Sequence, residues 1–221
     1  MMKMVKRLAL ATVTAATFLA LATPASAQSD VEIGVLGLIS DYNSLTATNP
    51  TRSGNTGPAL GFGGGVLIGQ TINERWGGEF RYIYSRNDLE LEAGSDKADL
   101  GHQTHAVHYD LLYYFADSDA GVRPYLAGGI GVKYYQGVGT EDPFQPGMNL
   151  ALLTKDTQAM LVGSLGVGVK FRVGSNGIFR IEFRDYITGV PDNVITAAPG
   201  ASIDGDLLHQ YAPMVGYSWT F

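Results

Sequence analysis

Cysteine is missing from this chain altogether. No disulfide framework can hold it, so packing, or a hydrogen-bond ladder closed on itself, has to do so. Basic residues are scarce: 15 Lys and Arg stand against 21 Asp and Glu, for a formal charge of −6. That balance excludes the basic footprint of a nucleic-acid binder. Beyond the N-terminus no apolar run approaches the roughly 20 residues of a spanning helix, so any crossing of a membrane is made by strands. No cofactor motif stands out, and none is expected.

The N-terminus is organised differently. Lys3, Lys6 and Arg7 precede an apolar run from Leu8 to Ala22, followed by Pro24-Ala25-Ser26-Ala27. A basic start, a short hydrophobic core and an Ala-x-Ala site make residues 1–27 a secretory signal peptide, cleaved after Ala27. The run is too short for an anchor. Cleavage removes three cations and leaves 12 basic against 21 acidic residues, a charge of −9. Residues 28–221 are then long enough for one domain.

What the chain does have is glycine, 29 residues of it, and alternation. Between Gln158 and Ile187, Leu161, Leu165, Val167, Val169, Phe171 and Val173 share one parity, and Ser164, Gly166, Gly168, Lys170 and Arg172 the other. After Gly174-Ser175-Asn176-Gly177, Phe179, Ile181 and Phe183 alternate with Arg180, Glu182 and Arg184. Residues two apart share a face of a strand. A soluble sandwich turns such an apolar face to a core, and a membrane barrel turns it to lipid. Glycines mixed with both signs of charge suit a crowded interior.

The same pattern predicts further strands at about Asp30–Tyr42, Ala59–Ile72, Trp76 onward, His102–Phe115, Arg123–Gln136 and Leu207–Phe221. The intervening loops are expected at Asn43–Pro58, Asn87–Gly101, Gly137–Thr157 and Thr188–Asp206, with tight turns between the other pairs. Long and short connections alternate, as in a transmembrane barrel with short periplasmic turns and long external loops. The expectation is all-β: an eight-stranded antiparallel up-and-down transmembrane barrel with both termini on the periplasmic side.

The closing strand adds an independent signal. Gly216-Tyr217-Ser218-Trp219-Thr220-Phe221 resembles the Gly-x-x-aromatic-x-aromatic ending by which outer-membrane barrels are recognised for assembly. With Ile72-Asn73-Glu74-Arg75-Trp76-Gly77 and Arg123-Pro124-Tyr125-Leu126-Ala127-Gly128-Gly129, the chain resembles small outer-membrane β-barrels of the OmpA-like, porin-like superfamily. The resemblance covers residues 28–221 and leaves no room for the periplasmic domain that some relatives carry. It implies residence in the outer membrane of a Gram-negative-type bacterium, contact with its lipid and lipopolysaccharide, and handling by the barrel assembly machinery through Gly216, Trp219 and Phe221. No external partner follows from it.

Aromatics fall where interfacial girdles belong: Trp76, Phe115, Phe171, Phe179, Trp219 and Phe221 near the short turns, and Tyr84, Tyr134, Tyr186 and Tyr211 toward the long loops. Pro213 interrupts the last strand and is expected to mark a bulge, since it cannot donate to a ladder. The inward parity collects Glu32, Glu79, Arg81, Asp110, Lys133, Lys170, Arg172, Arg180, Glu182 and Arg184. The interior of an eight-stranded barrel is just wide enough for side chains to fill, and buried charges persist only when paired. A packed salt-bridge network is one reading; a gate whose pairs exchange partners to pass ions or small solutes is the other.

No metal site is expected from His102, His105 and His108. His105 faces away from the other two, which lie roughly 20 Å apart along a strand; His108 is placed to pair with Asp110. Lipid A-modifying barrels raise the question of an enzyme, but His209, on the outward parity, lacks a serine with an orienting acid in a recognisable motif, so no catalysis is expected. Asn87–Gly101 reads as a solvated acidic loop, able to engage divalent cations at the lipopolysaccharide surface or a basic partner. Met148–Leu153 is an apolar stretch fit for a contact surface or short helix. The function expected is structural or surface contact, with a narrow pore as the alternative.

Overall fold

The computed structural model describes residues 31–142 and 145–221. The expected signal segment, 1–27, and the first residue of the expected first strand, Asp30, lie outside the described residues. Among the described residues thirteen strands run β1 Val31–Tyr42, β2 Leu45–Thr48, β3 Ser53–Pro58, β4 Gly61–Thr71, β5 Trp76–Ala93, β6 Asp96–Tyr114 and β7 Val122–Gly137, then β8 Ala151–Leu153, β9 Thr157–Val173, β10 Gly177–Gly189, β11 Ile195–Ala197, β12 Ser202–Asp204 and β13 Leu207–Thr220. Among the described residues none is helical.

Eight of these are staves of a closed ring. β1 pairs with β4, β4 with β5, β5 with β6, β6 with β7, β7 with β9, β9 with β10 and β10 with β13, all antiparallel. β13 returns to β1 through registers running from Glu32↔Thr220 to Tyr42↔Gln210, so the ring has no free edge. The alternation then reads directly on the wall. Along β1, Val31, Ile33, Val35 and Ile39 point outward and are exposed, while Glu32, Gly34, Leu36 and Leu38 are buried inside. A band of outward Val, Leu, Ile and aromatic side chains circles the barrel, as a lipid-facing wall requires.

Above that band the rule inverts. β5 and β6 run on unbroken to a hairpin tip at Gly94 and Ser95, so Asn87–Gly101 is a paired ladder and not the loop expected from its acidity. Asp88, Glu90 and Glu92 alternate with Leu89, Leu91 and Ala93, and the acids face out while the apolar residues are buried. Read residue by residue this is strand periodicity; its acidic composition hides it. Gly94 supplies the left-handed turn at the tip, with φ 66°.

The other long connections carry short strands as well. β2 and β3 lie within the expected loop Asn43–Pro58 and extend the sheet beside β5 in the order β12-β2-β3-β5. β8 pairs with β11. The apolar stretch Met148–Leu153 is therefore neither a helix nor an exposed contact surface: Leu150, Ala151 and Leu153 are fully buried, and only Met148 and Asn149 at its start are exposed. With Leu45, Leu89, Leu91 and Val194 they form one apolar cluster over the outer end of the barrel. Along the staves the charged residues share the inward face with an apolar layer that includes Leu36, Leu38, Leu67, Ile83 and Met214, and the outward face is apolar; in this head the apolar residues are inside and the acids outside.

Two further expectations are corrected. Pro213 is not in a bulge: β10 pairs through it without a break, Phe183↔Pro213. On the β1 side the ladder lapses between Leu38↔Met214 and Asp41↔Tyr211 and resumes in the same register, with no residue inserted. A missing N–H accounts for a lost bond, not for an extra residue. Tyr186 does not belong to the outer girdle, because it shares the inward parity of Arg180, Glu182 and Arg184 and is buried.

Candidate functional site in the barrel interior

Long charged side chains fit inside so narrow a barrel only where their neighbours are small. Register supplies that. Arg180 faces Gly216 across the β10–β13 ladder, and Glu182 and Arg184 face Gly168 and Gly166 across β10–β9. Glu32 and Glu79 both face Gly69 on β4, and Asp110 faces Gly129 on β7. The glycines on the inward parity are the space the charges occupy. A Cβ built on Gly168 would lie 2.5 Å from the Tyr125 hydroxyl and 2.8 Å from the Glu182 Cβ. Gly168→Val is therefore expected to lower stability by about 1–3 kcal/mol through overpacking, read as a lower urea midpoint of the refolded barrel. An unchanged midpoint would mean that this layer has room to spare.

Eight of the ten expected lumen residues come together. Lys170 donates to Glu32 at 2.7 Å and to Glu79 at 2.8 Å. Arg180 pairs with Glu32 and, at 3.1 Å, with Glu79. Arg81 joins the next layer, bonded to Glu79, to Glu182 at 2.5 Å and lying 3.5 Å from Asp110. Arg184 closes the set, 3.0 Å from Asp110 and 3.4 Å from Glu182. All eight are buried. Four acids meet four bases, so the cluster carries no net formal charge, as buried charge requires.

Neutral hydroxyls complete it, none of them among the ten expected lumen residues. Tyr125 donates to Glu182 at 2.5 Å and Ser218 to Glu32 at 2.5 Å; the Tyr114 hydroxyl accepts from Lys170 at 2.9 Å, and Ser164 accepts from Arg184 at 3.2 Å. Their inward parity was visible, but not their height. His108 also reaches the cluster, its Nδ1 3.2 Å from Asp110.

Two expected members stand apart. Lys133 sits in a higher layer, donating to the Tyr42 hydroxyl at 3.0 Å and to Gln210 at 2.6 Å, with its ammonium 4.8 Å from the ring centroids of both Tyr42 and Tyr135. Arg172 lies at the short-turn mouth, exposed, donating to the Ser118 carbonyl at 2.7 Å. Lys170, too, takes its acids from Glu32 and Glu79, not from the Glu182 that shares its hairpin. Strand parity sets the face of a residue; the height depends on barrel shear, which no single hairpin reveals.

The histidines do not converge. His102 is buried and stacked on Tyr135 with centroids 5.7 Å apart; His105, outward, is hydrogen-bonded to the Tyr82 hydroxyl at 2.7 Å. His209 does have an orienting acid: its Nδ1 lies 2.9 Å from Asp185 Oδ2, a diagonal contact across the β10–β13 ladder. A 17-residue connection separates those strands, which hid their register from the sequence. The His209 ring also stacks on Tyr211, and among the described residues no serine is hydrogen-bonded to it.

At the surface of the head, Lys97 is paired with Glu92 at 2.9 Å and Glu90 at 3.5 Å; the hydrogen bond it donates to Glu92 and the charge of Glu90 hold its ammonium above the ordinary lysine range. In the closing strand, Trp219 and Phe221 point outward beside Tyr217, whose ring meets Trp219 edge-on at 5.0 Å. Gly216 packs under Leu36 and Arg180, where a Cβ would lie 2.5 Å from Leu36.

The sequence model of the outer membrane protein beta-barrel domain matches residues 11–221. No curated protein matches the chain. Among solved structures, Neisserial surface protein A superposes with a TM-score of 0.51 at 15% identity, over 86% of this chain and 97% of that one. The outer membrane protein OprG from Pseudomonas aeruginosa gives 0.53 at 14% identity, over 87% and 95%. At such identities the likeness is one of fold.

Proposed function

This chain belongs to the outer membrane protein β-barrel domain family, and from that premise we propose that it is a closed, non-enzymatic barrel whose work is done by its external head. One observation carries this reading: the lumen is filled twice over. The balanced charge cluster occupies the membrane band, and the apolar cluster around Leu91 and Leu153 caps the outer end. A filled lumen leaves structural support and surface contact as the roles. The head is packed enough to present fixed side chains, with Glu90, Glu92 and Asp99 outward on one hairpin. In this reading residues 1–27 are cleaved on export, the assembly machinery reads Gly216, Trp219 and Phe221, and lipid and lipopolysaccharide surround the wall. The test is conductance of the refolded protein in planar bilayers. Silence across the usual voltage range is expected; long-lived channels of uniform size would replace this reading with a narrow pore.

A further inference from the structure

The short-turn mouth of the barrel is built differently from the cluster above it. A cavity of ≈ 70 Å³ opens there, floored by Glu32, Glu79, Tyr114 and Lys170 and rimmed by Arg123 and Arg172. It is large enough for a few waters or one small anion. Its two carboxylates are already committed. Both oxygens of Glu32 are taken, one by Lys170 and the other by Arg180 and Ser218; in Glu79 one oxygen is bound by Lys170 and the other by Arg81 and Arg180.

The rim cations are not so committed. Arg172 donates to the Ser118 carbonyl and Arg123 to the Glu74 carbonyl, at 2.7 and 3.1 Å, both backbone acceptors without formal charge. Among the described residues neither guanidinium lies within ion-pair distance of a carboxylate, whereas neighbouring Arg75 is paired with Asp117 at 2.8 Å. Arg123 is fixed by stacking, its Cζ 3.8 Å from the Tyr114 ring centroid, and its Nε is buried without a hydrogen-bond partner. Glu74 and Asp119, the remaining acids of these turns, are exposed and do not line the cavity. Ser118, Ser175 and Thr220 add hydroxyl-bearing side chains to the lining.

We propose that this mouth binds a phosphate-class oxyanion between the guanidiniums of Arg123 and Arg172. Guanidinium forks match the tetrahedral oxygens of such an anion and form the stronger, charge-assisted hydrogen bonds with it. The site is independent of whether the lumen conducts. Its anion has two possible sources, free phosphate or the headgroup of a phospholipid reaching round the rim, and the chemistry is shared.

The test uses the mature chain refolded in non-ionic detergent, with inorganic phosphate exchanged for chloride at constant ionic strength. A saturable rise in the thermal midpoint is expected, its apparent affinity falling at least about tenfold in the double variant Arg123→Gln, Arg172→Gln, as loss of charge-assisted contacts implies. Lys97→Gln should respond as the wild type does. In the wild type itself, phosphate should move the Arg123 and Arg172 Nε–H resonances and leave those of Arg52 and Arg86 in place, a readout that survives even if the double variant fails to fold. Should short-chain phosphatidylglycerol produce these changes where inorganic phosphate does not, the headgroup is the source. Superimposed phosphate and chloride curves with no response to the lipid, or a double variant that responds like the wild type, would overturn the site.

Discussion

Glu182→Ala should cost about 3–5 kcal/mol of barrel stability, the range for breaking a buried pair by removing one partner. The Glu182 carboxylate receives Arg81 through two bonds, at 2.5 and 3.0 Å, the Tyr125 hydroxyl at 2.5 Å, and the flank of Arg184 at 3.4 Å. Without it the cluster holds four bases against three acids, all of them buried. Arg81 retains Glu79 and, at 3.5 Å, Asp110, while Arg184 retains Asp110. Asp110 would then be the sole acid of Arg184 while still shared with Arg81. The barrel must either lose stability or admit water and a counter-ion, and the second outcome would appear as conductance. Removing Arg184 as well, in Glu182→Ala with Arg184→Met, restores charge balance at three against three and should recover part of the loss. Glu90→Ala on the exposed hairpin should change stability by less than about 1 kcal/mol, since its ion pair with Lys97 is screened by solvent. A urea titration followed by tryptophan fluorescence in lipid vesicles separates the cases. If Glu182→Ala keeps both the wild-type midpoint and electrical silence, the cluster is not what holds the lumen closed.

The set of inward residues was legible in the sequence because strand parity has a period of two and tolerates no ambiguity once one face is apolar. Their pairing was not. Arg81 and Glu182 lie 101 residues apart on staves that face each other across the lumen, and only ring closure and stagger bring them together. Arg172 shared the parity of Lys170 yet sits one step too near the mouth to join the cluster. The glycines show the same division. Their number and phase were plain, but that Gly166, Gly168 and Gly216 each stand opposite a charged residue is a property of register. The head was misjudged for another reason. Asp88 to Ala93 has strand periodicity, yet its acids suggested solvent, and acidity says only that one face is wet. The pairing of β8 with β11 joins two distant connections, which neither segment announces alone.

The sharpest test of the wall itself is Val167→Arg. Val167 lies on β9 roughly midway between Phe171, near the short-turn rim, and Leu161, high on the same outward face. Its cross-strand neighbours are Leu126 on β7 and Phe183 on β10, both exposed to the same apolar surroundings. An arginine there faces the apolar band, and its nearest acid, Asp185, lies one diagonal step away and is already bonded to His209, so a loss of about 2–4 kcal/mol is expected, the midplane value for a lipid-facing cation. The neighbouring position should fail by a different route. Gly166 points inward against the Arg184 side chain, and Gly166→Arg would crowd the lumen and add a fifth base to a balanced cluster. Its defect should persist when the bilayer is replaced by a thinner one, whereas that of Val167→Arg should shrink as the headgroups come within reach. Asn193→Arg, in the exposed head, should stay within about 0.5 kcal/mol of the wild type. Equal and mild effects at Val167 and Asn193 would mean that the outward parity does not face lipid.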